Sequence, residues 1–315
     1  MSIISKIKLN YYNNLYQIYL NDQKYEDFTK LFEKNIQEPS ANAELLLKYT
    51  GQIIEMPEAE KIFNQNLSWI NSYDVDDCHF VNSFINYYAG DNKDIVDHYS
   101  KELNNHSVIK KLFSSISFSD FQKYSYFFQL LISRSNEFSN KFINASSAFF
   151  ETSDGKMFTH PRLSSCYIYI IKNPIEIFKK LLHLNQNNQE LALQKILNLD
   201  QKPAAIETDI MIEEMQSDWA TNVSSWTNQN VIDTFRGLII KYEDLINDTY
   251  DTLVSIVFHL NEAGLNLKLD YKKIEYFLEK NNPLNLSYNN TISSSSKKRL
   301  SRSLGHMATK FGYDI

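Results

Sequence analysis

Four short stretches hold side chains able to do chemistry. The most charged is Asp74-Val-Asp-Asp-Cys-His79. Asp, Cys and His all ligate metals. The spacing is not that of a calcium loop, because His79 stands where that loop needs Gly and Ile85 where it needs a bidentate Glu. Neighbouring side chains also point apart in extended backbone. The reading is therefore a polar turn whose aspartates cap a following helix and suit its positive end, with no metal expected. Lys172 and Lys180, with Lys179 beside them, lie on or beside one helix start. They are the candidate anion site, against the alternative of a solvated helix face. His160, in Phe-Thr-His-Pro, is the one candidate general base, against the alternative of a surface-loop histidine. Ser293–Arg302 sets serines beside basic residues and reads as a capped helix with an exposed basic face.

Composition narrows the classes. The chain has 315 residues, with 32 Lys+Arg against 38 Asp+Glu and a net charge of −6. A mildly acidic chain without a long basic stripe is a poor binder of nucleic acid, and none is expected as a partner. An apolar fraction of 43% excludes whole-chain disorder, and 7 Gly with 6 Pro excludes a collagenous or loop-dominated chain. Two cysteines, Cys78 and Cys166, exclude a disulfide scaffold and suit a reducing compartment. They show no paired spacing and are given no role. No apolar run approaches the ~18 residues of a membrane span. Residues 1–10 contain no apolar segment followed by a small-residue cleavage site. A cytoplasmic protein is the expectation.

The elements that must position these residues follow from periodicity. Tyr11–Leu20, Tyr25–Phe32 and Ala41–Ile54 read as helices, with Ser40 as an N-cap. They form a helical N-terminal extension over residues 1–66. Leu67–Ser72 is a short strand, and Phe80–Tyr88 a helix. Lys93–Leu131 reads as further helix with a Ser-rich break at Ser114–Ser119. Cys166–Ile171 is the clearest strand, and Pro174 opens a helix over Ile175–Leu184. Met211–Trp226 reads as helix, with Trp219 and Trp226 on one face as core anchors. Gly237–Lys241 is a second buried strand, Asp251–Leu260 an amphipathic helix, and Lys297–Lys310 a C-terminal helix with a serine cap. Strands alternating with helices imply an α/β fold with a mainly parallel sheet flanked by helices.

Several segments in order resemble sulfotransferases that use 3′-phosphoadenosine 5′-phosphosulfate (PAPS). The nearest pattern is a bacterial branch whose first strand runs into W-L-A-S-Y-P-K-S-G-N-T-W. Here it is Trp69-Ile-Asn-Ser-Tyr73, then Asp74–His79, then Phe80. A second segment, F-L-K-T-H-N-A, a D-G turn, a proline and A-I-Y-I-V-R-N-P-L-D-V-A-V-S, resembles Phe142–Ser147, Asp154-Gly155, Pro161 and Tyr167–Ile177. A third, W-x-x-H-V-x-S-W followed by R-Y-E-D-L, resembles Trp219–Trp226 and Lys241–Leu245. The M-x-x-F-G-Y ending resembles Met307–Tyr313. The likeness spans about residues 67–315.

The resemblance implies a P-loop-like sulfotransferase fold over residues 67–315. It also implies an anion loop made of Gly, backbone N–H groups and a Lys. At those positions this chain has Val75 for the Lys, Asp77 for the Gly and three added carboxylates. A carboxylate close to a phosphate oxygen is repelled by about 4 kcal/mol at an intermediate dielectric. Ala145, Ser146 and Ser147 stand where the family has its Lys-Thr-His base segment. Lys172 replaces the Arg that grips the 3′-phosphate, Lys180 a second phosphate contact, and Asn222 the His of W-x-x-H-V. The family's R-K-G-x-x-G-x-W lid is absent between Asn281 and Ser296. The expectation is a sulfotransferase-family protein that has lost the PAPS loop and base and works as a non-catalytic partner or binding module. On that reading no cofactor is expected. The alternative is an active enzyme with a rebuilt site. It would use PAPS, leaving PAP, with His160 as base and Lys172 and Lys180 as anion clamps. It would move a sulfuryl group to a hydroxyl or amine of a glycan, lipid or small metabolite.

Overall fold

The computed structural model describes residues 67–89, 95–96, 126, 129, 141–146, 148–149, 158–199, 217–283 and 288–315. The N-terminal extension expected over 1–66 and most of the helix expected over Lys93–Leu131 lie outside the described residues.

Five parallel strands form one sheet: β1 (Leu67–Ser72), β2 (Ile95–Val96), β3 (Lys141–Ala145), β4 (Ser164–Ile171) and β5 (Gly237–Lys241). Their order across the sheet is β2-β3-β1-β4-β5. The chain builds one side of β1 first and then crosses to the other. The carboxyl ends of β1 and β4 therefore flank a topological switch point, where open α/β sheets bind ligands. This is the α/β, mainly parallel architecture that the alternating pattern implied.

Helices cover both faces. They are α1 (His79–Ala89), α2 (Pro174–Leu184), α3 (Gln189–Ile196), α4 (Trp219–Trp226), α5 (Gln229–Phe235), α6 (Tyr242–Asn247), α7 (Thr249–Glu262), α8 (Tyr271–Lys280) and α9 (Ser294–Lys310). Ile70, Phe142, Ile168, Ile170 and Ile240 meet Val81, Phe84 and Ile85 of α1, with Leu253, Ile256, Val257 and Leu260 of α7. The α7 residues recur at three- and four-residue spacing, so burying one stripe fixes the helix on the sheet. On the opposite face Trp226 sits at 4.9 Å from Tyr167, 5.0 Å from Phe149 and 6.0 Å from Tyr169. Trp219 and Trp226 are both fully buried, as core anchors should be.

Local caps end the elements where the sequence asks. Asn173 accepts from the Ile175 N–H with Pro174 at the first helical position, and Asp218 accepts from the Thr221 N–H. Ser293 caps α9 by accepting from the Ser296 N–H.

Three expectations are corrected. Ile95–Val96, read as the start of a helix, pairs with Phe142 and Ile143 as a short edge strand. Of the helix expected over Met211–Trp226, residues 211–216 lie outside the described residues, and Ser217–Asp218 are not helical because the Asp218 cap starts the helix at Trp219. β5, read as buried, is the other edge strand. Gly237, Leu238, Ile239 and Lys241 are half-buried, and Ile240 alone of its residues is buried. An edge strand has a neighbour on one side only, so its apolar run is covered less fully.

Gly237 has a steric reason to be Gly. A Cβ there would lie 2.2 Å from Tyr167 Cζ, and the Tyr167 hydroxyl is held by donating to the Trp226 carbonyl at 2.6 Å. Gly237→Ala should therefore destabilise the fold by roughly 1–3 kcal/mol, through overpacking against a tethered ring. Urea unfolding measures this. A loss within a few tenths of a kcal/mol would show that Tyr167 can move aside.

Candidate functional site

The site grows from the end of β1. Ser72 is the last strand residue, Tyr73 follows, and Asp74 turns the chain. The Asp74 Oδ1 accepts the Asp76 N–H at 3.2 Å, and the Asp74 carbonyl accepts the Asp77 N–H at 2.9 Å. These bonds wind Val75–Cys78 into a 3₁₀ turn that runs straight into α1. The turn thus places three carboxylates at the carboxyl edge of the central strand.

Both candidate lysines meet that turn. Lys172 follows β4 and reaches across the sheet edge, with Nζ 2.6 Å from Asp77 Oδ1. The pair is buried: the side chains are 9% and 5% exposed. The Tyr242 ring, at the start of α6, packs with its centroid 3.9 Å from the same Nζ. Lys180, two turns into α2, donates to Asp74 Oδ2, and to Asp76 Oδ2 at 2.9 Å. His79 Nε2 lies 3.3 Å from Asp76 Oδ1. Lys179 turns away and pairs with Glu176 on its own helix at 2.7 Å. The solvated-face alternative thus fails for Lys172 and Lys180: neither cation is loose on the surface.

The frame around them is also bonded. Glu243 accepts the Asn173 N–H at 3.1 Å and the Tyr313 hydroxyl at 2.7 Å. Tyr313 also donates to the Ile171 carbonyl at 3.3 Å. Gly312, at φ 76°, turns the chain so that Tyr313 returns to the end of β4. Asn222 is wholly occupied in structure: its Nδ2 donates to the Ser146 carbonyl at 2.8 Å, and its Oδ1 accepts the Tyr169 hydroxyl at 2.7 Å. Ser146 follows β3 at the same sheet edge; Ser147 lies outside the described residues.

His160 is elsewhere. Its carbonyl accepts the Leu163 and Ser164 N–H groups at 2.9 and 3.1 Å, which places it at the amino end of β4. Its Nδ1 accepts the Arg162 N–H at 3.1 Å. Eight strand residues separate it from Lys172, a span of roughly 25 Å at strand rise. The fold brings together Lys172, Lys180 and the aspartates, and leaves His160 at the opposite edge.

Two lysines against three aspartates leave one excess negative charge at the turn. Burial pushes the Asp77 carboxyl up to about 6, against the pull of Lys172. Hydrogen bonding from Lys180 holds Asp76 below the usual carboxylate range despite its partial burial. Burial pulls Lys180 down, but its bonds to Asp74 and then Asp76 outweigh this and raise it. Burial pushes the Tyr242 hydroxyl up to about 12, with the Asp77 charge adding to it. Asp77 Oδ2 is buried and has no hydrogen-bond partner among the described residues, and the same holds for the side chains of Asn71, Ser72 and Asn82. An orphaned buried polar atom such as Asp77 Oδ2 is where ordered water or a ligand would be bound. Among the described residues no group of three or more His, Cys, Asp or Glu is arranged to hold a metal ion. No described helix is long and apolar enough to cross a membrane.

Sequence reasoning missed the pairing itself. Asp77 and Lys172 are far apart in the chain, and the signal that could have joined them was charge reversal: an acid at the loop position where the resembled family needs none, facing a retained base. For Tyr242 the sequence offered only its place in the Lys241–Leu245 stretch that resembles R-Y-E-D-L.

No family model matches the chain, and no curated protein matches it. Among solved structures, a mouse sulfotransferase, SULT7A1, complexed with PAP is similar at 13% identity and a TM-score of 0.46, covering 81% of this chain and 89% of that one.

Lys172→Met would leave the Asp77 carboxylate buried and alone. The variant should lose roughly 3–5 kcal/mol at neutral pH. The loss should shrink toward about pH 5, where the orphaned acid takes up a proton. In the unaltered protein the sign is fixed by the raised carboxyl. Its stabilising contribution is full below the ordinary value of about 4 and is lost as pH rises through about 6. Urea unfolding across pH checks both. A Lys172→Met loss independent of pH would show that Asp77 is not the group left uncompensated.

Proposed function

We propose that this chain is a sulfotransferase-family protein that has lost the PAPS-binding loop and the catalytic base, and that it acts as a non-catalytic partner or binding module. One observation carries the reading. The cations that would meet the cofactor's anionic groups are already taken by the protein's own carboxylates: Lys172 by Asp77, and Lys180 by Asp74 and Asp76. A phosphosulfate does not fit such a turn. It would have to displace a buried ion pair and then sit against an excess negative charge.

Supporting features point the same way. Val75 stands where the resembled loop has its Lys, and Asp77 where it has a Gly. At the position of a second family histidine, both side-chain functions of Asn222 are spent on Ser146 and Tyr169. The one candidate base, His160, is at the far edge of the sheet. Free, buried Cys78 and Cys166 fit a reducing, cytoplasmic setting. The partner in this reading is a protein rather than a nucleic acid.

The deciding experiment follows melting temperature at neutral pH while PAP is added to about millimolar concentration. No shift is expected. A ligand at 100 times its Kd stabilises by about 2.7 kcal/mol, so a clear rise would overturn the reading. It would restore active sulfuryl transfer from a rebuilt site.

A further inference from the structure

We infer that Asp77 is an acid-released plug: its carboxylate stands in for an external oxyanion on Lys172, and once it is neutralised Lys172, beside the β1–α1 turn, takes up a small tetrahedral oxyanion such as sulfate or phosphate. This rests on the reading above, in which the turn is an anion loop filled from within.

Geometry carries the inference. The Asp77–Lys172 pair lies where β1 and β4 end beside the start of α1, at the switch point of the sheet. That is where backbone N–H groups and helix polarity favour negative charge. A purely structural buried pair has its lone pairs satisfied. Here one carboxylate oxygen meets Lys172 at 2.6 Å, while the other is buried without a partner among the described residues. Asn71 and Ser72, which end the adjoining strand, are orphaned too. The plug is thus held by one lysine, through one of its two carboxylate oxygens.

Charge sets the direction. The groups whose charge acts on Asp77 are Lys172 just after β4, Asp74 within the turn and Lys180 from α2, and the Asp77 charge acts in turn on Tyr169 of β4 and Tyr242 of α6. Asp76 and His79 lie on the outer side, paired with each other and, for Asp76, with Lys180. With all three aspartates ionised the turn carries one excess negative charge and repels an oxyanion. A proton on Asp77 removes that excess. Burial already pushes the Asp77 carboxyl up to about 6, so mild acid suffices. Asp74 and Asp76 stay on Lys180, so Lys172 is the cation released.

The test is calorimetric titration of the full chain with sodium sulfate at constant ionic strength. The unaltered protein should bind sulfate at least about tenfold more tightly at about pH 5 than at neutral pH, since one neighbouring charge is worth more than a decade. Asp77→Asn should bind at neutral pH with the acid-state affinity, and Lys172→Met should not bind at either pH. Equal affinity of the unaltered protein at both pH values, or no binding at either, overturns the inference. If Asp77→Asn does not fold, NMR titration of the Asp77 carboxyl in the unaltered protein decides. Linkage requires sulfate to raise its midpoint, and an unmoved midpoint overturns the plug. Failure here leaves the absence of PAP binding at neutral pH untouched. PAP binding at neutral pH would instead sink the non-catalytic reading, whatever sulfate does.

Discussion

A lysine and an aspartate that are both nearly removed from water set the terms for this molecule. The Asp77 carboxylate is not tolerable there without Lys172, because an unpaired buried ion costs several kcal/mol. Lys172, just after β4, and Asp77, within the 3₁₀ turn, therefore meet at one point in space. That requirement ties β1 to β4 at their carboxyl ends, where the backbone ladder stops. The Tyr242 ring packs against the same Lys172 Nζ. Lys180 adds a second tether from α2 to Asp74 and Asp76, so the helices on either side of the switch point are joined through one turn.

The remainder of the sheet supports this edge. The aromatic layer around Trp226 and the aliphatic layer under α7 hold β4 rigid from both sides. The tail closes the frame: Tyr313 binds the end of β4 and Glu243, and Glu243 in turn holds the Asn173 cap of α2. The result is a rigid, polar edge whose cations are matched internally, which is the opposite arrangement to a loop built to receive an anion from solution.

Much of the scaffold was legible in the residues. β1, the core of β4 and the bounds of β5 follow from β-branched and aromatic runs, because a strand's residues carry their own preference. Pro174 and the serine cap before Lys297–Lys310 marked helix starts because caps are local. β3 escaped because Lys141–Ala145 is short and its pairing with β1 is non-local. β5 was misjudged as fully buried because an apolar run does not say whether a strand has one neighbour or two.

For the site, the sequence by itself determined the inventory: three aspartates in a capped turn, two lysines eight residues apart, and no base at the resembled position. It determined this because residue types, spacing and capping are properties of the chain. The tertiary structure alone decided what the inventory does. It buried Lys172 against Asp77, matched Lys180 to Asp74 and Asp76, and left His160 at the other end of β4. The reason is physical: whether a lysine is a free anion clamp or an occupied one depends on burial and on which carboxylate the strand order delivers to it.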